Sequence, residues 1–600
     1  MPSIVIVGGG PRGVGVLERL GANIELFTGE LDVHLVDPFP VGAGRVWRYE
    51  QSPLLRMNSM AEDVTMFTDE SVTCEGPVRP GPSLSQWAQQ VRPETLPADI
   101  REEVETLTGT AFPTRRLQSA YLKWFYEHTV ATLPPNVKVH VHQDIATRIS
   151  EDPQTVWLKD TPPVRADVIV FTVGHLDNKP KQDLETYARD HGLFYLPPEY
   201  SADADLDGIR PGQDVLMRGF GLAFIDLMVL LTEGRGGKYR TEPDGALTYL
   251  PSGEEPRLIV GSRRGVPYHA KTDYRLKAGR PPLPRFFVPE AFAARDKLDF
   301  HADVWPLMAK DIAWGHYHEL FNAHADRVTT TWSDFAERFA ALTWGSHQMQ
   351  ALINGTVPGE EDRLDFEALD RPLTQKFDTP EALQEHLRTV IRQDIDRRHD
   401  DRHSPDLGAF MGLLTGFGGL APLAASGKLT TTSLVHDVGW WQGLFNLLAS
   451  GPPGHRLEEL LALSRAGIVE FLGADMRVAA QDGVFRATTS SHPQPVTATA
   501  LVEARLPKPG LTGTTDELIH WLNDNATAEV LRDPAVETGR LVVTPADLRV
   551  VDREGRPHPS RFALGPLTNV VAATAFARPH TNAPAFRQND AVARAILRTL

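Results

Sequence analysis

The sequence predicts an α/β protein in which a short apolar strand, a glycine turn and a helix occur in succession twice, with a largely helical segment set between later strands. Three observations carry this. Ser3-Ile4-Val5-Ile6-Val7 is an apolar run that ends in Gly8-Gly9-Gly10 and passes into the helical pattern of residues 14–20. Asp214-Val215-Leu216-Met217-Arg218 repeats the arrangement, with Gly219-Phe220-Gly221 as turn and residues 222–232 as helix. Residues 281–455 then carry helix-period segments and few strand signals.

The remaining elements follow in chain order. Residues 33–37 form a second strand, stopped by Pro38, which has no amide proton to give a ladder. Residues 114–132 show a helix period, 137–141 alternate like a strand, and 166–174 form an apolar strand ending on a small-residue turn. Residues 257–260 make a strand that ends at Gly261-Ser262-Arg263-Arg264. Beyond Gly454 strands return at 468–471, 484–488 and 499–504, and the chain closes with a hairpin around 552–555, the run 561–565 and a terminal helix from about Asn589.

A length of 600 residues predicts several structural units. With 61 Lys and Arg against 78 Asp and Glu, the net charge of −17 opposes non-specific nucleic-acid binding. No run of about 18 apolar residues appears, and the opening lacks the basic start and cleavage site of a signal peptide. A soluble, cytoplasmic protein with no membrane partner is expected. The single cysteine, Cys74, excludes an intrachain disulfide and a multi-thiolate metal site, and reads as a buried apolar side chain.

Gly8-Gly9-Gly10-Pro11-Arg12-Gly13 is a G-x-G-x-x-G between strand and helix, the context that makes it specific for a dinucleotide. Gly8 permits the tight turn, Gly10 lets a pyrophosphate approach the backbone, and Gly13 allows close helix–strand packing. The helix opened by Pro11 and Arg12 offers amide donors to the phosphates. Asp37, ending the second strand, is placed to accept from a ribose hydroxyl. The loop from Gly42 to Trp47 has glycines where the backbone would pass a flavin ring, and Asn58 is offered as a polar neighbour of that ring. Thr172-Val173-Gly174-His175 has the shape of a segment that closes over FAD and crosses to a second nucleotide domain. Ile145, beyond the strand 137–141, is assigned to the same cofactor site.

In the second glycine unit Gly219 and Gly221 are present, but Phe224 stands where a third glycine is expected, which predicts looser helix–strand packing. Arg263 and Arg264 end the following strand, and two guanidiniums there suit a 2′-phosphate, favouring NADPH over NADH. The pairs His316/His318 and His399/His403 lack a His-Glu-x-x-His pattern, so no metal site is assigned. Trp440 and Trp441 read as buried packing, with the lining of a substrate pocket the alternative. No Gly-x-Ser-x-Gly, P-loop or zinc spacing is present.

These residues are similar to those of the two-dinucleotide-binding-domain flavoproteins, and among them to the large, flavin monooxygenase-like FAD/NAD(P)-binding proteins with a long inserted segment. The similarity rests on Val7 to Gly13, on residues 219–226, 234–237 and 261–265, and on residues 582–591. It implies a Rossmann-like FAD domain split in sequence (1–207 and 456–600), a second Rossmann-like NAD(P) domain (208–280), and a helical insertion (281–455) as substrate domain. It further implies non-covalent FAD, NADPH as reductant with NADH the alternative, and oxygenation of a small amine or amino acid, N-hydroxylation in particular, with oxygen carried at the flavin C4a. Residues 562–566 resemble the segment whose glycine, here Gly565, precedes an acid and contacts the ribityl chain; Pro566 replaces that acid. The final helix, with Asn589, is expected to turn its amino end to the flavin pyrimidine.

Two other classes stand beside the monooxygenase. One is a flavoprotein dehydrogenase, oxidase or NAD(P)H reductase that does not oxygenate, with the disulfide branch excluded by the lack of a cysteine pair. The other is a non-catalytic flavin-binding protein, kept open by Phe224 and Pro566. The sequence names a small-molecule substrate but not which, no catalytic side chain, and no oligomeric state, with a homodimer among the alternatives.

Overall fold

The computed structural model describes residues 1–179, 182–531, 535–570 and 574–600. Two units divide the chain: Met1–Lys179 together with Pro507–Leu600, and Pro180–Leu506. Each contains its own largely or wholly parallel sheet.

In the first unit six strands lie in the order Arg549–Val551, Pro557–Ala563, Val168–Phe171, Ser3–Val7, Leu31–Val36, Val137–His142. All neighbours are parallel except the outer pair formed by the first two. Ser3–Val7 occupies the interior, with Ile4 level with Val33 on one side and Val168 on the other. Ile4, Val5 and Ile6 are fully buried, as a strand covered on both faces requires of an unbroken apolar run. Helices Pro11–Ala22 and Pro584–Thr599 pack on one another, and Gly15 makes room for the Asn589 side chain, whose Nδ2 would lie 2.4 Å from a Cβ at that position. The long connection between the second and third strands folds as its own layer around Trp87, Tyr121 and Phe125. There Ser83 and Gln86 cap helix Leu84–Gln90 reciprocally.

The second unit has five strands, all parallel, in the order Val469–Gly473, Arg257–Gly261, Asp214–Arg218, Ala500–Val502, Phe194–Leu196. The expected helical insertion is present. Its central pair, Trp305–Ala323 and Pro405–Ala425, packs backbone to backbone: a Cβ on Gly315 would sit 2.2 Å from the Gly408 carbonyl oxygen, and one on Gly412 would sit 2.4 Å from the Ile312 Cα. Pro405–Ala425 is long and apolar enough to cross a membrane, which corrects the expectation that the sequence holds no such run. Its apolar character comes partly from glycine and alanine, which a search for large apolar side chains passes over, and the two glycines facing Trp305–Ala323 serve helix packing.

Two expected boundaries move. Phe194–Leu196 is assigned by pattern to the first half of the FAD domain, and Val469–Gly473 and Ala500–Val502 to its second half; all three lie in the second sheet. The first unit therefore resumes at Pro507 rather than 456. A short apolar run reads the same for either sheet, and what decides is long-range parallel register, Leu258 with Val469 and Leu501 with Leu216. The last helix begins at Pro584, not near Asn589, because proline at the first helical position fixes φ and gives up no needed amide proton.

Candidate functional site

The turn after Ser3–Val7 is built from backbone contacts that only glycine allows. Gly8 has φ +108° and its amide donates to the Val36 carbonyl (2.8 Å); a Cβ there would lie 2.3 Å from the Thr172 carbonyl oxygen. A Cβ on Gly13 would lie 2.0 Å from the Gly8 carbonyl oxygen, so this glycine seats the helix directly on the turn. Around Gly10, the cap residue of Pro11–Ala22, a Cβ would meet nothing closer than Gly44 at 3.8 Å. The turn is closed where the protein packs and open where a diphosphate would approach. Neither helix end nor turn carries an acidic side chain to compete for that place.

Asp37 ends the neighbouring strand and is buried. Its Oδ2 accepts from the Gly9 amide (2.7 Å) and its Oδ1 from the Phe39 amide (2.8 Å). Burial nevertheless raises its carboxyl to about 6, against the downward pull of those two amides. Each oxygen keeps a further lone pair, the acceptor a ribose hydroxyl needs. Thr172 ties the adjacent strand to the same turn: its amide donates to Val7 (2.8 Å) and its Oγ1 to the Gly8 carbonyl (2.7 Å). The residues present thus fit an FAD dinucleotide.

The other assigned residues surround this turn at different depths. Gly174 stands with open space over the place of a Cβ, and His175 after it is exposed. Arg45 donates to Asp177 (2.8 Å), holding the 42–47 loop to the segment after Thr172. Trp47 is half-buried, edge-on to Phe576 at 5.4 Å. Asn58 lies half-buried in the loop that follows, and Ile145 presents 39% of its surface to solvent beyond the third strand. Gly565 turns at φ +101°, and its carbonyl accepts from the Thr568 amide (3.1 Å) and hydroxyl (3.0 Å), so Thr568 braces the turn that follows Pro566. Asn589 is buried in the second turn of the last helix rather than at its start.

The second unit repeats the turn. Gly219 has φ +133°, and a Cβ there would lie 2.5 Å from the Ala504 carbonyl oxygen. Gly221 caps helix Leu222–Leu231, with the Tyr268 ring against it. Phe224 does not loosen the packing: it is fully buried, edge-on to Phe220 at 5.0 Å. Arg263 and Arg264 separate in role. Arg264 forms an ion pair with Asp370, whose other oxygen accepts from the Trp440 indole (2.9 Å), so this arginine braces the insertion. Arg263 is exposed and, among the described residues, has no ion pair with a carboxylate; partial desolvation of its guanidinium and the charge of Arg264 both depress its basicity. It is the one of the pair available to a phosphate.

Sequence reasoning does not find the role of Asp370, since nothing local marks a residue of the insertion as the partner of a strand-end arginine. His316 Nε2 donates to the Asp362 carbonyl (2.8 Å) and Trp441 is buried, as packing residues should be, whereas Trp440 is half-buried. Cys74 is half-buried rather than buried, its thiol directed at the Gly76 carbonyl (3.3 Å). Among the described residues one group, Asp69, Glu70 and His580, has metal-like spacing. It lies on a cavity of about 450 Å³ shared with Glu62, Thr65 and Ser83.

A family model described as FAD-NAD(P)-binding matches residues 5–176. The chain is 34% identical to an L-aspartate N-monooxygenase (nitrosuccinate-forming) of Streptomyces davaonensis, over 99% of this chain and 97% of that protein. It is also 34% identical to a nitrosuccinic acid synthase of Aspergillus oryzae, over 99% of this chain and 92% of that protein. Among solved structures, the FAD-bound cadaverine monooxygenase of Erwinia amylovora is 12% identical with a TM-score of 0.39, covering 99% of this chain and 94% of that one.

Proposed function

This chain belongs to the family of the nitrosuccinate-forming L-aspartate N-monooxygenases and is an FAD-dependent, NAD(P)H-using monooxygenase, and on that premise we propose that its substrate is L-aspartate, oxidised at the amino nitrogen to nitrosuccinate with NADPH as reductant. The observation that carries the substrate is the 34% identity running through 99% of this chain and 97% of the Streptomyces davaonensis enzyme, insertion included. A shared nucleotide fold alone would not support it.

The cofactors supply electron transfer and oxygen activation when bound; the protein's part is to hold and orient them. Gly8 and Gly13 let the turn close on Thr172 and on the helix, Gly10 leaves the backbone bare for the FAD diphosphate, and Asp37 accepts from its ribose. Gly219 makes the corresponding turn for the second dinucleotide, and Arg263 meets the 2′-phosphate that distinguishes NADPH. L-Aspartate carries two carboxylates and calls for cationic partners. The cavity beside Asp69 and Glu70 has the wrong sign for it, since both are acids and Glu62 adds a third.

The test is turnover of purified, FAD-loaded protein with each of the common amino acids in air. NADPH oxidation and nitrosuccinate formation with L-aspartate, and not with L-glutamate or L-lysine, are the expected result. NADPH oxidation no faster with L-aspartate than with no amino acid, and no nitrosuccinate, would remove aspartate as the substrate.

A further inference from the structure

Arg12 is the fifth residue of the glycine motif, and no motif assigns a task to its side chain. It is 7% exposed. One of its nitrogens, Nη2, donates to the Gln588 side-chain oxygen, while Nε and Nη1 are buried with no partner. No carboxylate neutralises it among the described residues, and burial alone draws it down to about 9, which leaves it charged at neutral pH. A buried charge with unpaired donors is among the costliest arrangements a protein can hold. A ligand, ion or water from outside the chain is what completes such a group.

The surroundings have the same sign. Arg12 sits in the first turn of Pro11–Ala22, and Gln588 in the opening turns of Pro584–Thr599. Neither helix has an acidic residue in its first turn or a side-chain cap at its amino end, so both partial positive charges are left open. Arg587, next to Gln588, has a second buried guanidinium nitrogen, Nε, without a partner. Two helix ends and a guanidinium with two partnerless nitrogens thus meet here, and among the described residues no carboxylate pairs with that guanidinium.

We propose that Arg12 is an anion-binding side chain of the FAD site, its guanidinium receiving negative charge that the dinucleotide brings, on its diphosphate or on the reduced ring. This rests on the FAD reading above. Gln588 is then the positioning residue that fixes the guanidinium plane and leaves Nε and Nη1 directed to the ligand.

The experiment compares wild type with Arg12→Met, which keeps length without charge, and Arg12→Lys, which keeps charge without the planar fork. Thermal unfolding of the apoprotein, titration with FAD and with ADP, and the two-electron midpoint potential are measured on each. Arg12→Met should raise the apoprotein's Tm, because it removes an unpaired buried charge, and should shrink the further rise that FAD produces; a purely structural arginine would lower the apoprotein's Tm. If the diphosphate is the partner, Arg12→Met weakens FAD and ADP alike by about tenfold or more and leaves the potential unchanged. If the reduced ring is the partner, ADP affinity holds and the potential falls by about 30 mV for each tenfold of lost preference for the reduced form. Arg12→Lys should recover part of either effect, and carries the test if Arg12→Met does not fold. A folded Arg12→Met protein with FAD and ADP affinities within twofold of wild type and an unchanged potential overturns the proposal. Failure of the wild type itself to bind FAD would instead overturn the cofactor reading, and this proposal with it.

Discussion

The carboxyl of Asp37 makes FAD binding depend on pH in a way that can be worked out in advance. Burial raises it to about 6 in the free protein, although the Gly9 and Phe39 amides stabilise its charged form. Only the carboxylate is a pure acceptor for a ribose hydroxyl, so apparent affinity should follow the ionised fraction. That fraction is about 90% at pH 7 and about 10% at pH 5, a loss of roughly tenfold, or about 1.4 kcal/mol. The stability of the apoprotein has the opposite sign. A carboxyl raised above its unfolded value of about 3.9 favours the folded state when protonated, so this contribution is lost as pH climbs from about 4 to about 6. Titration of apoprotein with FAD by flavin fluorescence between pH 5 and 8 reads the first effect. Asp37→Asn should bind FAD more weakly and with a flat profile, since one of its atoms becomes a donor facing an amide. A wild-type affinity that does not change between pH 5 and 7, or an Asp37→Asn protein that keeps the wild-type slope, would refute the assignment of Asp37 to the ribose.

Four further outcomes are expected. Gly13→Ala forces a methyl within 2.0 Å of the Gly8 carbonyl oxygen; it should destabilise the protein by about 1–3 kcal/mol and leave it purified without flavin, as absorbance and thermal unfolding will show. Arg263→Ala should raise KM for NADPH by about tenfold while leaving that for NADH unchanged, whereas Arg264→Ala should strand the Asp370 carboxylate and cost about 3 kcal/mol of stability with little change in nucleotide preference. His34 is held neutral down to about 4, by burial first and then by His140 and His142 beside it. The unfolded chain takes up that proton near 6.5, so stability falls as pH drops from 6.5 toward 4, and His34→Asn should flatten that limb of the Tm profile.

What was legible in the sequence is what short-range chemistry determines. Residues 3–37 announce themselves because a tight turn, a bare backbone and an acid at the next strand end must fall at fixed spacing for a dinucleotide to fit, and the structure puts Gly8, Gly13 and Thr172 in direct contact, with Asp37 bonded to Gly9 between them. Ownership of Val469–Gly473 and Ala500–Val502 was not legible, since their partners lie hundreds of positions away or across the insertion. Arg263 and Arg264 look equivalent in sequence, and only Asp370, brought in by a helix of the insertion, tells them apart. Phe224 was misleading for a related reason: a third glycine is needed only where helix and strand approach closely, and here Phe220, itself backed by Phe471, packs on the larger ring. The unpaired guanidinium of Arg12 is invisible in sequence because it depends on what the last helix fails to supply.

The most direct test is oxidation of L-aspartate by the FAD-loaded protein with NADPH under isotopically heavy oxygen, followed by mass spectrometry of the product. Nitrosuccinate carrying heavy oxygen on nitrogen is expected, with about three NADPH consumed for each nitro group, since each oxygenation draws one electron pair from the reductant. NADPH oxidation that is indifferent to aspartate and yields only hydrogen peroxide would contradict it.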